Sequence, residues 1–144
     1  MTLLVCVDAS FVLKLFLEEP DSDQVQALWA QWLADDNRIL APYHLVFEVI
    51  SVIRNYVYRG KISTEAGRAA VEAFTVQDIE LIPPESLCIR AWELAEQFSR
   101  PTAYDSFYLA AAEYVGCDLW TADGRLYRAV RGELPWVKRL TGGS

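Results

Sequence analysis

Five apolar residues, Leu3 to Val7, run without alternation and stop at Asp8. A short unbroken apolar run is the pattern of a strand buried on both faces, as in the interior of a parallel sheet. Phe11 to Leu17 then reads as a short helix, closed by Glu18-Glu19-Pro20. Asp21-Ser22-Asp23 caps a second helix over 24–34, with Val25, Leu28, Trp29 and Trp32 at helical spacing. A turn at 35–37 leads into a strand over 38–41. Pro42 opens a helix over 43–59 that ends at Gly60. A helix over 63–76 precedes a strand over 79–82, which stops at Pro83-Pro84. The helix over 85–98 turns Leu87, Ala91, Leu94, Ala95 and Phe98 inward. A helix over 103–115, closed by Gly116, leads to a strand over 118–121, a short helix over 125–130 and a last strand over 136–138.

Strands and helices alternate, which predicts an α/β fold: a three-layer α/β/α sandwich around a central, mostly parallel sheet of about five strands. No repeat or linker divides the chain, so residues 1–140 are expected to form one domain, followed by a disordered tail over 141–144. The helix over 43–59 carries a distinct pattern. His44, Glu48, Ser51 and Asn55 follow i, i+4, i+7, i+11 spacing and form one polar stripe on an otherwise apolar surface. That helix is expected to be buried around most of its circumference. The stripe faces either solvent or a cleft, with Glu48 pointing into it.

In this topology every helix that follows a parallel strand begins at the carboxyl edge of the sheet, where ligands bind in open α/β folds. Asp8 ends the first strand, and Glu48 lies in the second turn after the second. Asp105 lies in the first turn of the helix over 103–115, and Asp123 follows the fourth strand. Each has a local reading too. Asp8 suits the N-cap of the first helix. Thr102 to Asp105 resembles a capping box, and Asp123-Gly124 is a turn dipeptide. Glu48, between Phe47 and Val49, needs a partner if buried. Four carboxylates gathered at one edge repel one another, and a divalent cation with hard oxygen ligands relieves that repulsion.

Composition narrows the chemistry. His44 is the only histidine among 144 residues, which leaves little material for a His-rich zinc site or a Ser-His-Asp constellation. His44 itself reads as a helix-terminus residue. Cys6, Cys88 and Cys117 lack metal-ligand spacing and fit free thiols in a reducing cytoplasm. No apolar stretch approaches the ~20 residues of a membrane span, and no signal peptide is read at the N-terminus, so no membrane partner is expected. The net charge of −7 argues against a general nucleic-acid-binding module, but not against an enzyme whose acids are loaded with metal.

Four segments carry a family resemblance: Val7-Asp8-Ala9-Ser10; Pro42 through Glu48 with Ile53-Arg54; Tyr104-Asp105-Ser106-Phe107-Tyr108-Leu109-Ala110-Ala111-Ala112-Glu113; and Thr121-Ala122-Asp123. In order and spacing, across about residues 3 to 140, they resemble the PIN-domain ribonucleases, and among these the VapC toxins of bacterial toxin–antitoxin pairs. The resemblance implies that Asp8, Glu48, Asp105 and Asp123 form the acidic quartet that holds Mg²⁺ or Mn²⁺, with Asp8 and Asp105 as principal ligands. Glu48 and Asp123 would serve as a second ligand, a water-orienting group or a general base. Ser10 and Thr121 match the small hydroxyl positions that support the acids. The implied activity is hydrolysis of RNA phosphodiesters, often in a structured RNA such as a tRNA. The implied partners are a cognate VapB-type antitoxin and a second copy in a homodimer. Gly124-Arg125-Leu126 stands where some relatives carry a further acid. Arg54, beside the polar stripe, either pairs with Glu48 or holds a phosphate. The rival readings are a non-catalytic PIN-like binding module and another phosphate-handling α/β domain.

Overall fold

The computed structural model describes residues 2–140, so the tail expected over 141–144 lies outside the described residues. Five parallel strands run β1 (Leu4–Val7), β2 (Arg38–Pro42), β3 (Ile79–Ile82), β4 (Asp118–Thr121) and β5 (Val137–Arg139). Their order across the sheet is β3-β2-β1-β4-β5, which puts β1 at the centre. The helices are α1 (Ala9–Phe16), α2 (Ser22–Ala34), α3 (His44–Tyr58), α4 (Thr64–Thr75), α5 (Cys88–Gln97), α6 (Tyr104–Val115) and α7 (Gly124–Val130), with a 3₁₀ turn over Pro84–Ser86. The chain steps outward from β1 to β3, then crosses back to β4. Right-handed crossovers therefore place the helices of the outward steps and those of the return on opposite faces. Accordingly α1 packs with α2, α3 and α4, whereas α6 lies across β1, β2 and β4 with α5 against it. The architecture is the expected α/β sandwich with a five-stranded parallel sheet.

The unbroken apolar run at the start has the expected setting: Cys6 and Val7 are fully buried. On the α1 side the core is aromatic. Phe11 stacks on Trp32 with ring centroids 5.4 Å apart, and Trp29 and Trp120 lie 6.0 and 5.9 Å from Trp32. Trp29 and Trp32 are thus core residues. The inward residues expected in the 85–98 segment are also confirmed, with Leu87, Ala91 and Leu94 in the core.

Three expectations are corrected. Asp21 does not cap α2 with its side chain; it takes a left-handed conformation at φ 71°, and the helix begins at Ser22. Ser22 Oγ ties the turn together by donating to the Leu17 carbonyl and accepting from Glu19 N–H. Pro42 ends β2 rather than opening the next helix. The third correction matters most: α3 is not buried around most of its circumference. Leu45, Val49 and Ile53 form one buried line, while Phe47 and Tyr58 are 71% and 78% exposed. The apolar pattern correctly signals surface that avoids water, but this chain alone does not cover all of it.

Candidate active site at the carboxyl edge of the sheet

Asp8 is the most enclosed acid of the molecule. It leaves β1 and caps α1, with Oδ1 accepting from Phe11 N–H at 3.0 Å and from Ser10 Oγ at 2.7 Å. Thr121 Oγ1, from the end of β4, donates to Oδ2. Ser10 Oγ in turn accepts from Ala122 N–H at 3.0 Å, and Thr121 Oγ1 accepts from Asp123 N–H at 2.9 Å. Asp8, Ser10, Thr121 and the backbone leading to Asp123 are therefore one hydrogen-bonded unit joining the two central strands. The capping reading of Asp8 holds, and the same carboxylate is 4% exposed at the sheet edge. Burial pushes its pKa up to about 6, against the pull of Thr121, Ser10 and Phe11 N–H, and the charge of Asp123 adds to the rise.

Asp123 caps α7 through Oδ1, which accepts from Arg125 and Leu126 N–H. Its turn reading holds too. Glu48 lies one turn into α3, with Oε1 3.0 Å from His44 Nε2. Neither atom has a well-aligned hydrogen-bond partner, although both are shielded from water. The stripe on α3 thus splits: His44 and Glu48 turn to the site, while Ser51 and Asn55 are exposed. Asp105 lies in the first turn of α6, but the capping box does not form. Ala103 is the N-cap and makes no side-chain bond. Asp105 Oδ2 instead accepts from Arg100 Nη2 at 3.1 Å.

Tyr108, one turn after Asp105, connects the acids. Its hydroxyl is buried without an aligned hydrogen bond. Burial and the neighbouring charges of Glu48 and Asp8 hold it far above the usual tyrosine range. The His44 ring stands 4.5 Å from the Tyr108 ring. Asp8 is thus coupled to Asp123 by charge, and Glu48 and Asp8 both act on Tyr108, whereas the recorded partner of Asp105 is Arg100 rather than another acid. Among the described residues, no three Asp, Glu, His or Cys side chains stand together as a ready-made metal cage. Arg54 does not pair with Glu48; it is exposed, 6.0 Å over the Tyr58 ring.

His44, Arg100 and Tyr108 were not among the expected site residues. The i, i+4 spacing of His44 and Glu48, and the one-turn spacing of Asp105 and Tyr108, were present in the sequence as signals. Arg100 lay in a loop segment with no periodicity to place it.

The model of the PIN domain matches residues 5–132. The chain belongs to the PIN-domain family. Ribonuclease VapC12 of Mycobacterium tuberculosis is 34% identical over 123 residues, covering 85% of this chain and 89% of that protein. Ribonuclease VapC9 of the same species is 29% identical over 132 residues, covering 92% and 95%. Two solved structures share the fold at 16% identity. A toxin–antitoxin complex from Klebsiella pneumoniae matches with a TM-score of 0.63 over 93% of this chain and 95% of its own. VapC20 of M. tuberculosis, a sarcin–ricin-loop-cleaving toxin, matches with a TM-score of 0.62 over 88% and 95%.

In this PIN domain the donor set fits a hard divalent cation. The acids offer only oxygen, and Glu48 Oε1 is shielded from water with no aligned hydrogen bond, its neighbour being His44 Nε2 at 3.0 Å. Mg²⁺ is commonly held by one or two carboxylates with several retained waters, so a preformed cage of three ligands is not a requirement.

Proposed function

We propose that the protein is a metal-dependent endoribonuclease that hydrolyses RNA phosphodiesters as a VapC-type toxin. The observation that carries this reading is the Asp8–Ser10–Thr121–Asp123 unit at the mouth of the central strands, joined to Glu48 through Tyr108. Family membership and relatives named as VapC ribonucleases support it. Asp8 and Asp105 would hold Mg²⁺ or Mn²⁺ as principal ligands, with Glu48 and Asp123 as a second ligand, a water-orienting group or a general base. When bound, the metal supplies a lowered pKa for water and stabilises charge developing on the phosphate.

The chain's own residues prepare that chemistry. Ser10, Thr121 and Phe11 N–H fix the Asp8 carboxylate in one orientation, and enclosure keeps competing water away from it. Arg100 neutralises Asp105 until a cation takes its place. Arg54 is the proposed phosphate contact on the substrate path, its exposed guanidinium free of Glu48.

A VapB-type antitoxin and a second copy of the chain are the proposed protein partners, and a structured RNA such as a tRNA is the proposed substrate. Operation in the cytoplasm fits this substrate. No helix among the described residues is long and apolar enough to cross a membrane. The first test is cleavage of a total tRNA pool with Mg²⁺ or Mn²⁺ by the wild type, the wild type with EDTA, and Asp105→Asn. Discrete fragments from the loaded wild type alone are expected. The PIN-like binding-module reading takes over if wild type neither cleaves nor binds Mn²⁺.

A further inference from the structure

Cys6 lies within β1, two residues before Asp8, and Cys117 stands at the entry to the neighbouring β4. Cys6 is fully buried in β1 and Cys117 is half-buried just before β4, yet their Sγ atoms lie 3.5 Å apart. We propose that Cys6 and Cys117 are a peroxide-responsive dithiol, with Cys117 attacking the oxidant and Cys6 resolving the product into a disulfide between β1 and β4. This stands on the sulfur pair and does not depend on the nuclease reading.

Three observations converge. First, the sulfurs are already in contact; Cys6 sits opposite Leu119, so closing to a bond length of about 2 Å draws Cys117, which precedes β4, along toward Cys6. Second, only Cys117 is reachable. It lines a pocket of about 310 Å³ with Ala112, Glu113, Gly116, Asp118 and Trp136, while Cys6 lies behind it. Third, the two sulfurs are each other's hydrogen-bond partners, Cys117 Sγ donating to Cys6 Sγ, so loss of the Cys117 proton leaves its thiolate directly against a second thiol. A thiolate is the attacking form. The acidic residues at the pocket, Glu113 and Asp118, disfavour anionic oxidants, so a small neutral one is selected: hydrogen peroxide.

The Cys117 thiolate attacks one peroxide oxygen. An S–O bond forms, the O–O bond breaks, and the departing hydroxide takes a proton to leave as water. The Cys6 sulfur then attacks Cys117 Sγ. An S–S bond forms, the S–O bond breaks, and the second hydroxide leaves as water with the Cys6 proton. Two thiols are oxidised to one disulfide and one peroxide is reduced to two waters. The cross-link lies in the strands that end at Asp8 and Thr121, so oxidation clamps β1 to β4 beneath their contact.

The experiment uses the full chain carrying Cys88→Ser, which removes the exposed third thiol. Treatment with stoichiometric hydrogen peroxide should give a mass lower by two hydrogens and a Cys6–Cys117 peptide under non-reducing digestion. The melting temperature should rise, and dithiothreitol should reverse it. With Cys6→Ser added, Cys117 should stop at a sulfenic acid that dimedone traps. The proposal is overturned if both thiols remain alkylatable after treatment. It is equally overturned if Cys117 proceeds to sulfinic acid while Cys6 stays reduced.

Discussion

Asp8 trades stability for position. Its carboxyl is raised from 3.8 to about 6 in the fold, so the native state holds a proton that the unfolded chain releases. For an acid shifted in this direction, the favourable contribution is complete below about pH 4. It is lost as pH rises to about 6, and above that the buried charge costs about 3 kcal/mol. In metal-free protein, Asp8→Asn should therefore melt higher than wild type at pH 7, by about 1–3 kcal/mol, and the gap should close towards pH 4. Thermal melts in EDTA across that range check the sign; a gap that widens on acidification would contradict it. Arg100 gives a second test. Its guanidinium sits on Asp105, a proposed ligand, and competes with any cation there. At a half-buried pair of this kind the competition amounts to about 1 kcal/mol. Arg100→Gln should bind Mn²⁺ a few-fold more tightly by calorimetry, and weaker binding would show that Arg100 instead holds Asp105 in its ligating pose. Asp8 and Asp123 were legible in the sequence because a polar residue at the end of a buried strand is conspicuous. Arg100 was not, because its role depends on where a loop lies in space.

At the scale of elements, β1 was legible as a short apolar run, and β3 and β4 as brief segments with clear stops at Pro83-Pro84 and at Asp123-Gly124; all three fall close to where the pattern puts them. Helix ends were less so. Pro42 looks like a helix opener, yet the strand pairing of β2 with β3 extends through it. Pairing between distant segments is invisible to a local pattern. The junction of α3 and α4 shows another such constraint. Gly67 in α4 faces Val57, and a methyl group there would collide with the Val57 side chain. Ala is favoured over Gly in a helix by about 1 kcal/mol, but β-branched Val57 has little rotamer freedom to yield. Overpacking of this kind costs about 1–3 kcal/mol. Gly67→Ala should therefore lower stability by about 1 kcal/mol, read as a reduced urea midpoint at unchanged slope. A gain would mean that α3 and α4 separate without penalty.

At the scale of the whole molecule, the exposed side of α3 is the feature that a lone chain does not explain. Tyr43, Val46 and Phe47 lie beside Ile79 and Leu81 of β3, an edge strand, and line one shallow depression with them. Phe47, Tyr43 and Tyr104 expose large apolar area on the same side as Pro84 and Phe107. Contiguous apolar surface of this kind marks an interface on a monomer, and an uncovered edge strand is a further reason to cover it. The proposed homodimer supplies the cover, and a two-fold axis would use each residue twice. Burial of one phenylalanine contributes about 2 kcal/mol, so replacing Phe47 with a charge in both copies should weaken association by at least 4 kcal/mol, about a thousandfold. Phe47→Glu should thus sediment as a monomer at concentrations where wild type is a dimer. Because Phe47 is 71% exposed in the single chain, its melting as a monomer should be cooperative and its helical signal unchanged. A wild type that stays monomeric at high micromolar concentration would leave this surface to a different protein. In that case the antitoxin, rather than a second copy, becomes the partner that α3 is built to meet.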